Sequence, residues 1–298
     1  MLNIKDIEKL HSDFPEPEEV ENIRREMNNA FSNLVFKEKD HSYHVKESGK
    51  NVKLPSVSSI VSSFEPRENW DLITENYAAK NNMSVEAVSR MWKEKNIKST
   101  NNGTLTHLFL ESYMWFFLGH PEKIDPVILP QYQDGYLIPY GNKQVAGAKY
   151  FEDLYNTYYN DSVTIKVYPV LPEVRMYVHK DNNMGLNKRF AGTMDVSLAF
   201  LDPSDSKWKI ICDDWKTNES LTNSFNRNKG NFLNEPFGDY INEAFSHYTI
   251  QLSAYSLMVK QTGFDVPYRN IVWLKEDGTY DRYPVSDESQ RIIDYYNK

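Results

Sequence analysis

The sequence predicts an α+β protein, in which a mainly helical portion precedes a sheet that further helices close. Over residues 1–160, apolar side chains recur at three- and four-residue spacing, as they do on amphipathic helices. From residue 161, short runs rich in β-branched and aromatic residues alternate with turn residues, which indicates antiparallel strands. The 298 residues suit one large domain. We therefore expect a single domain over 1–298, mainly helical over 1–160 and sheet-containing over 161–298.

The first elements are expected to be two helices and a hairpin. Apolar spacing predicts helices over 1–34, separated at Pro15 and Pro17. Two β-rich runs flank a turn-rich stretch, which predicts a hairpin over 43–54. A short helix is then expected to begin at Ser56.

The rest of the helical portion contains one long helical pattern and one long loop. Residues 68–119 are predicted to be helical, with a break at 101–103 where Asn-Asn-Gly occurs. Residues 120–141 are rich in proline and have few periodic apolar positions, so we expect a long loop or an arm over a surface. A helix is predicted over 144–159.

The second half is predicted to form an antiparallel meander followed by a polar linker over 216–240. The expected strands are the β-rich runs at 163–170, 173–179, 190–200 and 208–215. Three further elements are expected after the linker: a helix over 242–261, a strand over 270–274 and a helix from Ser286.

Charge and composition exclude several classes of protein. Lys and Arg total 34 against 42 Asp and Glu, a net charge of −8, which argues against a protein that coats DNA non-specifically. No apolar run approaches the roughly 20 residues of a membrane helix, and the N-terminus does not resemble a secretion signal.

The single cysteine, Cys212, limits the chemistry further. One thiol forms no internal disulfide, no Cys-rich zinc site and no four-cysteine iron–sulfur cluster. We therefore expect a cytoplasmic protein in which any metal is held by oxygen and imidazole ligands.

Three acidic residues are predicted to lie side by side on the meander. A hairpin centred within 202–206 places Asp214 opposite Asp195. A preceding turn centred on Met184 places Glu173 on the other side of Asp195. Like charges directly opposite each other destabilise a sheet, and a bound cation offsets that repulsion.

Lys216 is expected to share a strand face with Asp214, because successive side chains of a strand alternate. Adjacent carboxylates are the ligands that hard divalent metals require, and a metal-bound water can attack a phosphodiester. A nearby lysine orients that water or stabilises developing negative charge. This pattern favours metal-dependent hydrolysis. The structural alternative is that Asp195 and Asp214 are rim carboxylates on an exposed sheet face.

Two helical pairs extend this cluster. His107 and Glu111 lie one helical turn apart, and so do Gln251 and Tyr255. Imidazole is a metal ligand, and an amide or phenol can hold a phosphate or a catalytic side chain. Alone, His107 and Glu111 would be read as a histidine packed beside aromatic residues and a solvated acid. Gln251 and Tyr255 alone are equally typical of a surface amide and a core tyrosine.

Taken in order, these segments resemble the RecB-like branch of the PD-(D/E)XK nuclease superfamily, and especially its free-standing phage-type and mitochondrial-type single-strand exonucleases. The resemblance covers about residues 40–260, including an early segment from Tyr43 to Ile60. The matching motifs are Gly103 to Glu111, Glu173, Gly192 to Asp195, Asp214 to Thr217, and Gln251 to Tyr255.

This resemblance implies a restriction-endonuclease-like core, in which a central mixed sheet is flanked by helices and the helical N-terminal half arches over the site. It implies metal ligation by His107, Asp195, Asp214 and the Trp215 carbonyl, a catalytic Lys216, and an auxiliary acid at Glu173. Substrate binding or support of the site is implied for Glu111, Gln251, Tyr255 and Thr217. Arg175 and Arg189 are candidate phosphate contacts because they flank the acidic cluster in sequence. Further candidate phosphate contacts are Lys180, Lys188, Arg227 and Lys229, and candidate stacking residues are Trp92, Trp115 and Phe116.

The implied activity is that of a Mg²⁺- or Mn²⁺-dependent DNA exonuclease acting on single strands or ends, in replication, recombination or repair. Neither an iron–sulfur cluster nor a bound nucleotide is expected, because the cysteines and a Walker-type loop are absent from the sequence. DNA is the expected partner, with replication or recombination proteins besides, in a host cytoplasm if the protein is of phage origin. The alternatives are a structure-specific endonuclease, a non-catalytic DNA-binding subunit with a decayed nuclease fold, and a metal hydrolase with other substrates.

Overall fold

The computed structural model describes residues 3–159, 165–182 and 184–298. It contains a five-stranded mixed sheet flanked by helices, which confirms the predicted α+β class. Within these ranges, no helix has both the length and the apolar character needed to cross a membrane.

The N-terminal elements pack beside the central sheet. They are α1 (Ile4–Asp13), α2 (Glu18–Ala30), a small sheet of β1 (Leu34–Lys37), β2 (Ser42–Glu47) and β3 (Lys50–Leu54), and then α3 (Val57–Ser62), α4 (Trp70–Lys80) and α5 (Val85–Phe117). Side chains at three helix starts accept a backbone N–H three residues later, at Ser56, Asn69 and Ser84. These caps satisfy donors that the first helical turn leaves free.

The remaining elements build the central sheet and its covering helices. They are β4 (Tyr132–Gln133), β5 (Tyr136–Leu137), α6 (Asn142–Tyr159), β6 (Val167–Tyr177), β7 (Ala191–Asp202), β8 (Lys207–Lys216), α7 (Ser224–Lys229), α8 (Ala244–Lys260), β9 (Tyr268–Leu274), β10 (Tyr280–Pro284) and α9 (Ser289–Tyr296). The strand order is β10-β9-β8-β7-β6, with β8 and β9 parallel and the other neighbours antiparallel. The connection between the parallel strands contains α8, as a parallel crossover requires.

The register predicted for the meander is confirmed. The β7–β8 ladder runs from Val196 opposite Asp213 to the turn, and one further step places Asp195 across from Asp214. The β6–β7 ladder pairs residues 172 and 174 with 196 and 194, on either side of Glu173 and Asp195. Glu173, Asp195 and Asp214 therefore occupy one row across three strands.

Two buried apolar clusters lie on opposite faces of β8. One includes side chains of α2, α3 and α8 together with Ile210 and Cys212. The other includes side chains of α1, α5 and α6 together with Ile211 and Trp215. Because side chains alternate along a strand, Asp214 points toward the first face and Asp213 toward the second.

The predicted helix break at 101–103 is wrong, because α5 continues through it. A glycine in a helix costs about 1 kcal/mol, a cost that the buried C-terminal half of α5 outweighs. A Cβ at Gly103 would also lie 3.3 Å from the Thr217 hydroxyl, so the helix approaches the loop after β8 closely. The chain turns instead between α4 and α5, where Asn82 has a φ of 52°.

Three other expectations are corrected in part. The second helix ends at Ala30 instead of residue 34, and the strand β1 begins at Leu34. The first two predicted strands form the single strand β6, which is irregular between Pro169 and Leu171. Residues 163 and 164 of the predicted strand lie outside the described residues. The segment 120–141 forms 3₁₀ turns and a hairpin of two strands with two residues each. Its apolar side chains are buried with those of α1, α5 and α6, so the segment packs against these helices and not over the site.

Candidate metal centre

One histidine and two acids converge where α5 meets the sheet. His107 Nδ1 lies 3.6 Å from Asp195 Oδ1 and 3.8 Å from Glu173 Oε1. One potential ligand atom from each of the three lies within 4.8 Å of those from the other two. Asp214 does not belong to this group, although its charge interacts with that of Asp195.

The charges within this group hold a proton on His107 when no cation is bound. Burial lowers the pKa of His107, but the charges and hydrogen bonds of Asp195 and Glu173 outweigh burial and raise it to about 10. Burial raises the pKa of Glu173, against the opposing hydrogen bond of His107. A cation that binds here must therefore displace a proton from the imidazole.

Asp195 is fixed by the neighbouring strand. Its Oδ2 accepts a hydrogen bond of 2.7 Å from the backbone N–H of Trp215, and its side chain is buried. Burial alone would raise the pKa of Asp195, but the charges of His107 and Lys216 and the Trp215 hydrogen bond lower it. Asp195 is therefore held ionised and oriented, as a metal-ligating carboxylate needs to be.

Glu173 has an unusual backbone conformation within β6. Its φ is 48°, in the left-handed region that residues other than glycine rarely adopt. The residues on both sides of it pair with β7. Such conformations cost roughly 1–3 kcal/mol and cluster at functional sites. In this strand the conformation occurs at the residue whose carboxylate faces His107 and Asp195.

Asp214 is fully buried, and the Lys216 ammonium forms an ion pair with its Oδ2. Among the described residues, no hydrogen-bond donor reaches its Oδ1. Burial raises the pKa of Asp214 to about 7, and the Asp195 charge adds to the increase while Lys216 opposes it. A buried oxygen without a donor, beside a second acid, is an arrangement that a further cation satisfies.

Lys216 is enclosed by its partners. Burial lowers its pKa, but the charges of Asp214 and Asp195 outweigh burial and raise it, so the ammonium is retained. Its Nζ lies 4.5 Å from the centroid of the Tyr248 ring, and the Tyr248 hydroxyl donates to Asn218 Oδ1 at 2.7 Å. This packing holds a positive charge beside the two aspartates.

Gln251 and Tyr255 support the site from α8. Gln251 Nε2 donates to the Tyr255 hydroxyl at 2.8 Å. Tyr255 is buried and packs so closely on β7 that a Cβ at Gly192 would lie 2.7 Å from its ring. Neither side chain lines the cavity that opens over His107, Glu173 and Asp195, so both contribute to the packing beneath the acids.

An open cavity of about 440 Å³ lies over the cluster. His107, Glu173 and Asp195 line it together with Glu111 and Arg175. Burial and the charge of Glu173 raise the pKa of Glu111 to about 7. The Arg175 guanidinium stacks on Phe36 and forms an ion pair of 3.0 Å with Glu38.

Several predicted substrate contacts lie elsewhere. Arg189 forms an ion pair with Glu47 and does not line the cavity. Arg227 forms an ion pair with Glu243, and Phe116 is fully buried in the core. Thr217 lies beside the site, where its carbonyl accepts a hydrogen bond of 2.6 Å from Lys143.

Two groups of residues escaped the sequence analysis. Tyr248 lies three residues before Gln251 and so shares its helix face, a spacing that would have indicated it. Asp213 accepts hydrogen bonds from Tyr150 at 2.7 Å, Asn270 at 2.7 Å and Arg282 at 3.0 Å. These partners come from α6, β9 and β10, and no local spacing indicates them.

No protein-family model matches this chain, and no curated protein matches it. The functional assignment therefore depends on the chain's own side chains. His107, Glu173 and Asp195 together could hold a metal ion, and Asp214, whose Oδ1 has no hydrogen-bond donor among the described residues, lies across from Asp195.

Proposed function

We propose that the chain is a Mg²⁺- or Mn²⁺-dependent DNA exonuclease with a restriction-endonuclease-like core, which hydrolyses phosphodiester bonds at single strands or ends. The observation on which the proposal depends is Asp214, a buried carboxylate whose Oδ2 pairs with Lys216 while its Oδ1, beside Asp195, has no hydrogen-bond donor among the described residues. An unpaired buried oxygen is costly, and a metal cation bound between the two aspartates would supply its partner.

The metal would be held by Asp195 together with His107, Glu173 and Asp214, and the Trp215 carbonyl remains a predicted fifth ligand. When bound, the cation activates a water molecule and neutralises charge on a phosphate oxygen. Trp215 supports this arrangement directly, since its N–H fixes Asp195.

The positive groups have separate roles in the proposed reaction. Lys216, held between Asp214 and the Tyr248 ring, stabilises negative charge that develops on the phosphate or orients the attacking water. Arg175 lines the open cavity and can exchange its surface contact with Glu38 for a substrate phosphate. Glu111 lines the same cavity and can accept or donate a proton near neutral pH.

The test compares end-labelled linear and circular single-stranded DNA with Mg²⁺, Mn²⁺ or EDTA, using wild type, Lys216→Met and Lys209→Met. Lys209 is the matched control because it lies on the same strand and pairs with Asp202 in the hairpin. We expect metal-dependent loss of linear DNA only, retained in Lys209→Met and abolished in Lys216→Met.

Each of the other outcomes would indicate a different function for this protein. Cleavage of circles indicates the endonuclease alternative on the same core. DNA binding without cleavage in any metal indicates the non-catalytic subunit. Equal activity in Lys216→Met and wild type contradicts the assigned role of the lysine.

A further inference from the structure

A second cavity, of about 430 Å³, adjoins the candidate metal site. Both cavities are lined by Glu111, Glu173 and Arg175, which we call the shared row. Because the same three side chains line both, the cavities lie on either side of this row. A ligand that reaches across it enters both.

The far side of the shared row differs chemically from the metal site. Its walls come from α2, β6 and the end of α5, and six of its ten lining residues are apolar, among them Met27, Phe31, Trp115 and Pro172. The Lys123 ammonium lies 3.8 Å from the centroid of the Trp115 ring and packs against it. The exposed amide of Asn28 supplies a hydrogen-bonding group. A lining that mixes apolar side chains with a few polar groups can take a ligand with both characters.

Charge decides which part of a strand suits each cavity. The seven residues that line the second cavity beyond the row are uncharged, so a phosphate group has no cationic partner among them. Arg175 is the only lysine or arginine among the described residues that line the two cavities. A phosphate is therefore favoured at the row, beside the metal site and Arg175, and an uncharged sugar and base are favoured beyond it.

We propose that this second cavity is a binding site for the terminal nucleoside of a polynucleotide, while the adjoining phosphodiester lies at the metal site. The inference rests on the proposed function, since it assumes a polynucleotide substrate. Its volume lies within the range of sites for small ligands, and the Trp115 ring in its lining offers an aromatic surface for a nucleobase. Asn28, whose amide both donates and accepts, can contact the edge of the base.

The experiment uses single-stranded oligonucleotides whose terminal residue is intact or abasic, at either the 5′ or the 3′ end. With Mn²⁺, we expect the abasic residue to raise KM about tenfold at one end only, because loss of a stacked or buried base weakens binding by that order. Asn28→Trp fills the cavity from an exposed helix position, so it should remove this discrimination. Asn29→Trp is the matched control, since residue 29 is also exposed and does not line the cavity.

Equal KM values for intact and abasic ends in wild type would overturn the proposal, as would undiminished discrimination in Asn28→Trp. Binding of the same oligonucleotides in Ca²⁺, followed by fluorescence anisotropy, separates the two proposals. Discrimination in binding without hydrolysis supports the nucleoside site and contradicts the exonuclease. Hydrolysis without discrimination supports the exonuclease and contradicts the nucleoside site. If neither hydrolysis nor discrimination is observed, both proposals are overturned.

Discussion

Asp213 and Asp214 are consecutive residues of β8 and both are fully buried, yet the two faces of the strand surround them differently. Asp213 accepts hydrogen bonds from Tyr150, Asn270 and Arg282. Asp214 pairs through Oδ2 with Lys216, and its Oδ1 has no donor among the described residues. A fully satisfied buried carboxylate stabilises the fold, whereas one with an unpaired oxygen beside a second acid is available to a ligand.

The surroundings distinguish Asp213 from Asp214, which the sequence alone does not. Both residues belong to the same Asp-Asp-Trp-Lys run, and both would be costly in isolation. The difference comes from what covers each face: three donors over Asp213, and Asp195 with Lys216 beside Asp214. Substitution at the two positions should therefore affect different properties of the protein.

The largest expected effect is on activity. Asp214→Asn keeps the shape of the side chain but removes a metal-ligating charge, so we expect kcat on linear single-stranded DNA to fall at least about 100-fold. Asp213→Asn, assayed well below its unfolding temperature, should stay within about tenfold of wild type. Similar losses in both variants would remove the functional distinction between the two faces.

The second effect is on stability, where substitution of Asp213 is expected to cost more than substitution of Asp214. Asp213→Ala leaves Tyr150, Asn270 and Arg282 without their acceptor, so we expect the free energy of unfolding to fall by about 3 kcal/mol. Asp214→Asn in metal-free buffer should change it by about 1 kcal/mol or less, because relief from Asp195 offsets weaker pairing with Lys216. Denaturant unfolding followed by tryptophan fluorescence measures both. A larger loss in Asp214→Asn would contradict the comparison.

The third effect is the response to metal. At about 100 times its dissociation constant, Mn²⁺ should stabilise wild type by about 2.7 kcal/mol, or roughly 5 °C in Tm. Thermal denaturation with Mn²⁺ and with EDTA should show this gain in wild type and Asp213→Asn. Asp214→Asn and His107→Ala should lose most of it. Equal gains in all four proteins would place the metal elsewhere.

The fourth effect is the pH dependence of metal affinity. Burial raises the pKa of Asp214 to about 7, while the acids around His107 overcome burial and raise its pKa to about 10. The cation binds the deprotonated groups, so affinity should increase with pH, by up to about tenfold per pH unit for each proton released. Calorimetric titration with Mn²⁺ between pH 5.5 and 7.5 measures the slope. A constant affinity over this interval would contradict these shifts.

Much of the fold was predictable because its determining signals are local. Turn positions on both sides of β7 were enough to predict the register that aligns Glu173, Asp195 and Asp214. Helix periods and caps likewise indicated most helices. The continuity of α5 at Gly103 was not predictable, because it depends on packing with α6 and the sheet and on a close approach to Thr217.

The residues of the candidate site were predictable only where they occur at the spacings of a sequence motif. His107, Asp195, Asp214 and Lys216 follow such spacings, and the structure places them near one another. The partners of Asp213 did not, since they lie 57 to 69 residues away along the chain. Arg189 illustrates the opposite error, because proximity in sequence to the acids did not bring it to the cavity.

The left-handed backbone at Glu173 has a consequence for selection and engineering. Glycine adopts this conformation without strain, so Glu173→Gly removes a local cost while it also removes a carboxylate from the cluster. A screen that rewards heat resistance alone would therefore favour glycine at this position, and a screen that rewards function would retain glutamate. At position 173, therefore, the residue that best stabilises the fold differs from the residue that the proposed reaction needs.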